Sequence, residues 1–305
     1  LILNTFINTM KSKLKLLGSI IITLFVGSFL ANYLHSYSTL FMPEEYKTIK
    51  KLVNKLASSN HLGGSAIPFN ISNGIYMAYR AEELGLCKDE SCWYYRNLNP
   101  YKKYNKVKDI NINELSNQSF LFNGIEAYAW QGVVWLSKST FRTYGDRKDF
   151  LNCTLGHEIS HIVFNDHLEQ EKKLSDRLKD LRKLNNLDLE KEKNIFKEKK
   201  ELLEMEISRD SEMTADINSA KMIINAGYPK DTCLKEITFL SKISRIENDT
   251  DEKSTHPGYA ERYKSLKNFI NKYDKEKEMI SFKTYKWKWK YNRNRNTLTF
   301  IPKSK

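Results

Sequence analysis

Histidines 157 and 161 bracket the run His157-Glu158-Ile159-Ser160-His161, and this spacing constrains the chain more than any other feature it carries. On an α-helix, residues i and i+4 lie about 40° apart on one face and one turn along the axis. Two imidazoles so placed converge on a single Zn²⁺, with Glu158 left to act on a water there. The flanking residues Leu151, Leu155, Ile159, Ile162, Val163 and Phe164 are apolar, so this helix is expected to be buried. Burying two histidines and a glutamate without a ligand is costly. A metal site is therefore favoured over a polar stripe on a surface helix.

A catalytic zinc takes three protein ligands and keeps one position open. Two residues compete for the third place. His167 stands where the pattern HExxHxxGxxH has its last histidine, but that pattern breaks the helix with a glycine, and this chain has Phe164 instead. A helix that continues through Phe164 carries His167 about 9 Å past His161 and onto another face. Glu212 fits better, because Glu212-Met213-Thr214-Ala215-Asp216 repeats the i, i+4 spacing where the second helix turns apolar. An antiparallel pair of helices sets Glu212 opposite the two histidines. Asp216 can then accept a hydrogen bond from one ligating imidazole and fix its tautomer. Further on, Pro257 stiffens the backbone beside His256. A donor at His256 suits a developing oxyanion; the competing reading is a structural hydrogen bond at a helix entry.

The metal helix is expected to run from Asp149 to Leu184, break at Asn185 and Asn186, and be followed by a helix from Leu189 to Ala226 that Gly227 and Pro229 terminate. Residues 166–206 mix acids and bases in near-equal number with spaced leucines, which predicts a charged helical hairpin. Residues 43–59 read as an amphipathic helix, and 126–138 as the best strand, a candidate edge for a substrate cleft. Near the C-terminus, Tyr285, Trp287, Trp289 and Tyr291 alternate with Lys286, Lys288 and Lys290. Period-two alternation predicts a strand, with a turn at NRNRN and a return strand TLTFI. Its aromatic face either packs on the domain, leaving the lysines as edge protection, or meets a membrane surface.

Leu16–Leu34 carries no charge over a length that spans a bilayer core. Lys11, Lys13 and Lys15 precede it, which places the N-terminus in the cytoplasm and the rest of the chain outside. A cleaved signal peptide is the rival, but Ala31 has Phe29 at the −3 position, a poor cleavage site. The net charge of +13 suits an anionic partner or a lysine-rich composition equally. The four cysteines exclude a disulfide-dense miniprotein. Cys87 and Cys92 suit a short-loop disulfide, and among the three full pairings of Cys87, Cys92, Cys153 and Cys233 the sequence does not choose.

HEISH, EMTAD, NAGYPKD and STHPGYAERYKSL, in that order, resemble the M48 family of zinc metallopeptidases over roughly residues 120–270. The resemblance is to its exported, single-anchor branch rather than to multi-spanning members. It implies a gluzincin-type site with one Zn²⁺ per chain held by His157, His161 and Glu212, Glu158 as general base, Asp216 orienting a ligand, and His256 and Arg262 approaching the reacting carbonyl. Arg262 reads equally as a salt-bridge partner. The fold class expected is α+β, predominantly α: a zincin-like metallopeptidase domain with a small β-sheet, the charged hairpin and one transmembrane helix. The expected organisation is a cytoplasmic tail over 1–15, the anchor over 16–34, the peptidase domain over 43–275 and a basic aromatic hairpin over 276–305. The implied function is endopeptidase action on extended polypeptides, unfolded or damaged envelope proteins, at a bacterial cell membrane with the catalytic domain periplasmic, or in the periplasm after signal cleavage. No nucleic-acid partner is expected. Two rivals remain: a non-catalytic zinc-containing envelope chaperone or assembly factor, and a membrane-surface binding module built on the basic tail. The long hairpin and the aromatic tail depart from the family pattern.

Overall fold

Ile67, Phe69 and Ile71 alternate with Pro68 and Asn70, and their burial to 1, 0 and 0 % exposure makes β1 (Ile67–Ser72) the centre of the sheet. The structure, a computed structural model, describes residues 42–184, 192–243, 249–251, 253–273 and 286–303, without the side chains of 167 and 181–196. The expected tail 1–15 and membrane span 16–34 lie outside the described residues. Among the described residues no helix is long and apolar enough to cross a membrane. The chain is α+β and predominantly helical, with one five-stranded sheet.

β1 runs parallel to β3 (Val133–Ser137), with Phe69 opposite Val134, and antiparallel to β5 (Thr297–Pro302), with Phe69 opposite Leu298. β2 (Ala127–Trp130) and β4 (Trp287–Asn292) are the outer strands, giving the order β2-β3-β1-β5-β4. A parallel pair needs a crossover. Here α2 (Ile75–Glu83), α3 (Trp93–Arg96) and α4 (Ile112–Phe122) lie between β1 and β3 in the chain. The disulfide Cys87–Cys92 closes a loop in this crossover.

The single strand expected over 126–138 is instead a hairpin. Gln131 and Gly132 both take positive φ, 48° and 74°, as the two central residues of a tight hairpin turn require. The C-terminal tail folds as its alternation predicts, and β5 pairs with β1, so the tail belongs to the domain sheet rather than standing apart from it. Its aromatic side packs inward. α1 (Glu44–Ala57) buries Tyr46, Ile49, Val53 and Leu56 at helical spacing, and its Asn54 Oδ1 accepts from Trp287 Nε1 and Trp289 Nε1, each at 2.8 Å. Lys288 and Lys290 stay exposed on the outer strand.

The remaining helices carry the site. After α5 (Lys138–Tyr144), α6 (Lys148–Val163) is followed by α7 (Asp166–Leu184), and these are two helices where one was expected over 149–184. Asn165, with φ 51°, makes the break; asparagine tolerates this left-handed conformation better than most residues. α8 (Glu192–Asn225) ends on Gly227 (φ 81°), whose N–H bonds Ile224 while Tyr228 N–H bonds Ile223, the paired bonds of a glycine C-cap. The break foreseen at Asn185 and Asn186 lies outside the described residues. α9 (Thr232–Ile243) packs against α6 and α8, α10 (Tyr259–Lys272) packs against α8 and α9, and Cys153–Cys233 ties α6 to α9.

Candidate metal centre

Gly156 lets α6 and α8 meet. A Cβ there would sit 2.7 Å from Ser219 Oγ and 3.4 Å from Ser219 Cα. Ser219 Oγ donates to Cys153 O at 2.6 Å and Asn218 Nδ2 to Ser160 Oγ at 3.1 Å, which sets the register of the pair. With that register, Glu212 stands opposite the two histidines. His157 Nε2 lies 3.2 Å from Glu212 Oε2, His161 Nε2 3.5 Å from Glu212 Oε1, and the two Nε2 atoms are 3.1 Å apart.

The other ring nitrogens decide what this arrangement can hold. His157 Nδ1 is 2.9 Å from Asp216 Oδ1, and His161 Nδ1 is 2.7 Å from Asp166 Oδ2. A carboxylate only accepts, so each Nδ1 carries a proton, and in the neutral ring that metal binding requires each Nε2 presents a lone pair. Three acceptors then face one another, an arrangement that a cation satisfies and a neutral molecule does not. Ligand atoms on tetrahedral zinc are about 3.3 Å apart, given bonds of about 2.0–2.1 Å. The observed separations of 3.1, 3.2 and 3.5 Å match that figure, and among the described residues these three side chains form the one group able to hold a metal ion.

Electrostatics agree. Burial lowers the proton affinity of His157, yet its hydrogen bonds to Asp216 and Glu212 outweigh burial and leave its pKa well above the ordinary value. Burial raises Glu212, but the hydrogen bond from His157 and the charges of His157, His256 and His161 bring it down to about 2. A site that draws positive charge this strongly suits a divalent ion. Glu158 is 6 % exposed, and burial pushes its pKa up, the direction that suits a group meant to take a proton near neutrality.

Of the two readings of Arg262, the salt-bridge partner is the one the structure shows. Its Nε donates to Asp216 Oδ2 at 2.8 Å and its Nη2 to Oδ1 at 2.6 Å, a two-bond grip that holds the carboxylate under His157. Despite burial, the charge of Arg262 keeps Asp216 ionised, far below the usual carboxylate range. His256 does face the centre, with Nε2 3.8 Å from Glu212 Oε1 and Nδ1 2.9 Å from Thr255 Oγ1. With the Thr255 hydroxyl donating, His256 Nε2 carries the proton toward the site. The side chain of His167 lies outside the described residues. Sequence reasoning missed Asp166; the signal was Asn165-Asp166, an asparagine able to end a helix and an acid able to open the next one.

The centre opens into a cleft of about 410 Å³ whose far wall is β2 and its turn, Ala127 to Gly132, with Leu168 and Gln170 from α7 at the rim. β2 is an edge strand.

No curated protein and no solved structure matches this chain. Among protein families, residues 107–270 match Peptidase family M48, whose members are zinc metallopeptidases. That span covers more than half of the 305 residues and reaches from the crossover before β2, through α6 and α8, to α10. On this match, the chain belongs to peptidase family M48.

Proposed function

We propose that the chain is a zinc-dependent endopeptidase, with His157, His161 and Glu212 as ligands. The convergence of three acceptor atoms, with both Nδ1 positions tied to carboxylates, carries this reading. A zinc ion held there supplies Lewis acidity, polarising a carbonyl and acidifying a water. Glu158 takes the proton as water attacks the peptide carbonyl and returns it to the leaving amine. His256 Nε2 donates to the developing oxyanion. Asp216 and Asp166 hold the two imidazoles in the tautomer that exposes Nε2, and Arg262 holds Asp216.

The edge of β2 that has no partner strand among the described residues can accept an extended peptide as a further strand. Main-chain pairing tolerates varied side chains, which suits unfolded or damaged envelope proteins. All four cysteines are paired, and disulfides persist in oxidising compartments, which supports a periplasmic catalytic domain held by the apolar segment 16–34. Glu158→Gln tests the mechanism. The variant is expected to retain zinc and lose casein hydrolysis by about 10²–10⁴-fold. Equal hydrolysis by both proteins would mark a contaminating protease and return the chain to the non-catalytic chaperone class.

A further inference from the structure

A second cavity, of about 270 Å³, shares His157, Glu158, Glu212 and His256 with the main cleft and extends between α6, α9 and α10. Ile237, Leu240, Leu266 and the Cys153–Cys233 disulfide give it apolar walls. Of its five carboxyl groups, Glu158, Glu212 and Asp216 belong to the metal centre and Glu126 pairs with Arg96, which leaves Glu236. Glu236, on α9, is 5 % exposed, and its Oε1 accepts from Tyr144 OH at 2.7 Å and Thr154 Oγ1 at 3.2 Å. Its Oε2 has no hydrogen-bond partner among the described residues. Burial pushes the Glu236 pKa up to about 7, and the Tyr144 hydrogen bond and the charge of Arg262 offset it only in part. Arg262, the neighbouring cation, acts on it from a distance: its guanidinium binds Asp216 and forms no direct ion pair with Glu236 among the described residues. The catalytic chemistry leaves Glu236 without a task. One oxygen is thus fixed by hydroxyls, and the other is left to face the cavity, where a donor on a ligand can reach it.

We propose that this cavity receives the substrate side chain next to the scissile bond, and that Glu236 makes it select a basic residue, lysine foremost. The inference rests on the peptidase reading. Thr154, which anchors Glu236, lies four residues, about 6 Å along the helix, before Glu158. A lysine side chain spans about 6 Å from Cα to Nζ. Its stem would lie along Ile237 and Leu240 and its ammonium would meet Oε2 as a charge-assisted hydrogen bond. Arginine fits less well, because its fork needs two acceptors and only one is open.

The test uses the zinc-loaded chain and a set of peptides, otherwise identical, with Lys, Arg, Gln, Leu or Glu in turn at each position flanking the cut, the cut being located by mass spectrometry. At one flanking position kcat/KM for Lys should exceed that for Leu about tenfold or more. That ratio should collapse in Glu236→Gln and also in Leu240→Phe, which fills the cavity, with thermal melts verifying that both variants are folded. Cleavage with a flat profile, a Leu-led or Gln-led profile, or a lysine preference that survives both substitutions overturns the subsite while the peptidase reading stands. No cleavage of any peptide by the wild-type chain removes the peptidase reading and the subsite with it.

Discussion

The inner and outer ends of α8 belong to one continuous helix but are built in opposite ways. The inner end, from Ile207 onward, buries Ala215, Ser219, Ala220 and Ile223, and α6, α9 and α10 all pack on it. Small residues let the helices approach until Glu212 and Asp216 reach the histidines. Among the described residues the outer end has α7 beside it, and its contacts include exposed ion pairs such as Arg177–Glu206 at 3.6 Å and Lys200–Glu204 at 3.4 Å. An acid at the inner end is held in one geometry and acts through it. At the outer end an acid has water as its alternative partner and specifies little.

Two glutamates on one helix give the sharpest test. Glu212→Ala should lose zinc, measured by metal analysis of the purified chain, and with it all peptide hydrolysis. Glu206→Ala should change neither. If the two variants behave alike, the contrast between the ends fails. Asp216 comes next. Asp216→Ala removes the His157 tether and leaves the Arg262 cation buried without its partner. It should therefore destabilise the chain by about 3–5 kcal/mol in urea unfolding. Asp166→Ala strands no buried cation, so it should mainly weaken zinc affinity, by about 10–100-fold.

The same contrast explains what could be read from the sequence. HEISH and EMTAD were legible because a helix fixes the geometry of positions i and i+4 locally, whatever surrounds it. The alternation in Trp287–Tyr291 likewise gave a strand with one aromatic face. Its partner was not legible: pairing of β5 with β1 joins residues more than two hundred positions apart. The pairing of Cys153 with Cys233 is hidden for the same reason. Gln131-Gly132 and Asn165 are local features, yet each was overridden in the reading by apolar continuity on both sides. Glu236 carries no local mark at all, since an acid on an amphipathic helix is ordinarily solvated; only the closure of Tyr144 and Thr154 over it makes it unusual.

Glu236 extends the comparison to pH. Burial raises its folded pKa from 4.5 to about 7, against the lowering effects of the Tyr144 bond and the Arg262 charge. The folded chain thus binds this proton more tightly than the unfolded chain does. Stability attached to it is complete below about pH 4.5, falls as pH rises toward 7, and is gone above that, a loss on the order of 3 kcal/mol. Glu236→Gln keeps an acceptor for both hydroxyls and cannot ionise. Urea melts at pH 5 and pH 8 should show the variant gaining on the wild type by that amount at the higher pH. A pH-independent difference would mean that Glu236 is already matched by a charge.

The smallest effect belongs to the outer end. Side chains of Arg177 and Glu206 are 56 and 49 % exposed, so each keeps most of its hydration, and holding the two long chains together costs rotamer freedom. A double-mutant cycle with Arg177→Ala and Glu206→Ala should give a coupling of about 0.5 kcal/mol or less, falling further with added salt. A coupling well above 1 kcal/mol that survives salt would show that the hairpin is as tightly specified as the metal end. The charged pairs would then be structural anchors, and α7, whose Asp166 holds His161, would transmit strain from the hairpin into the site.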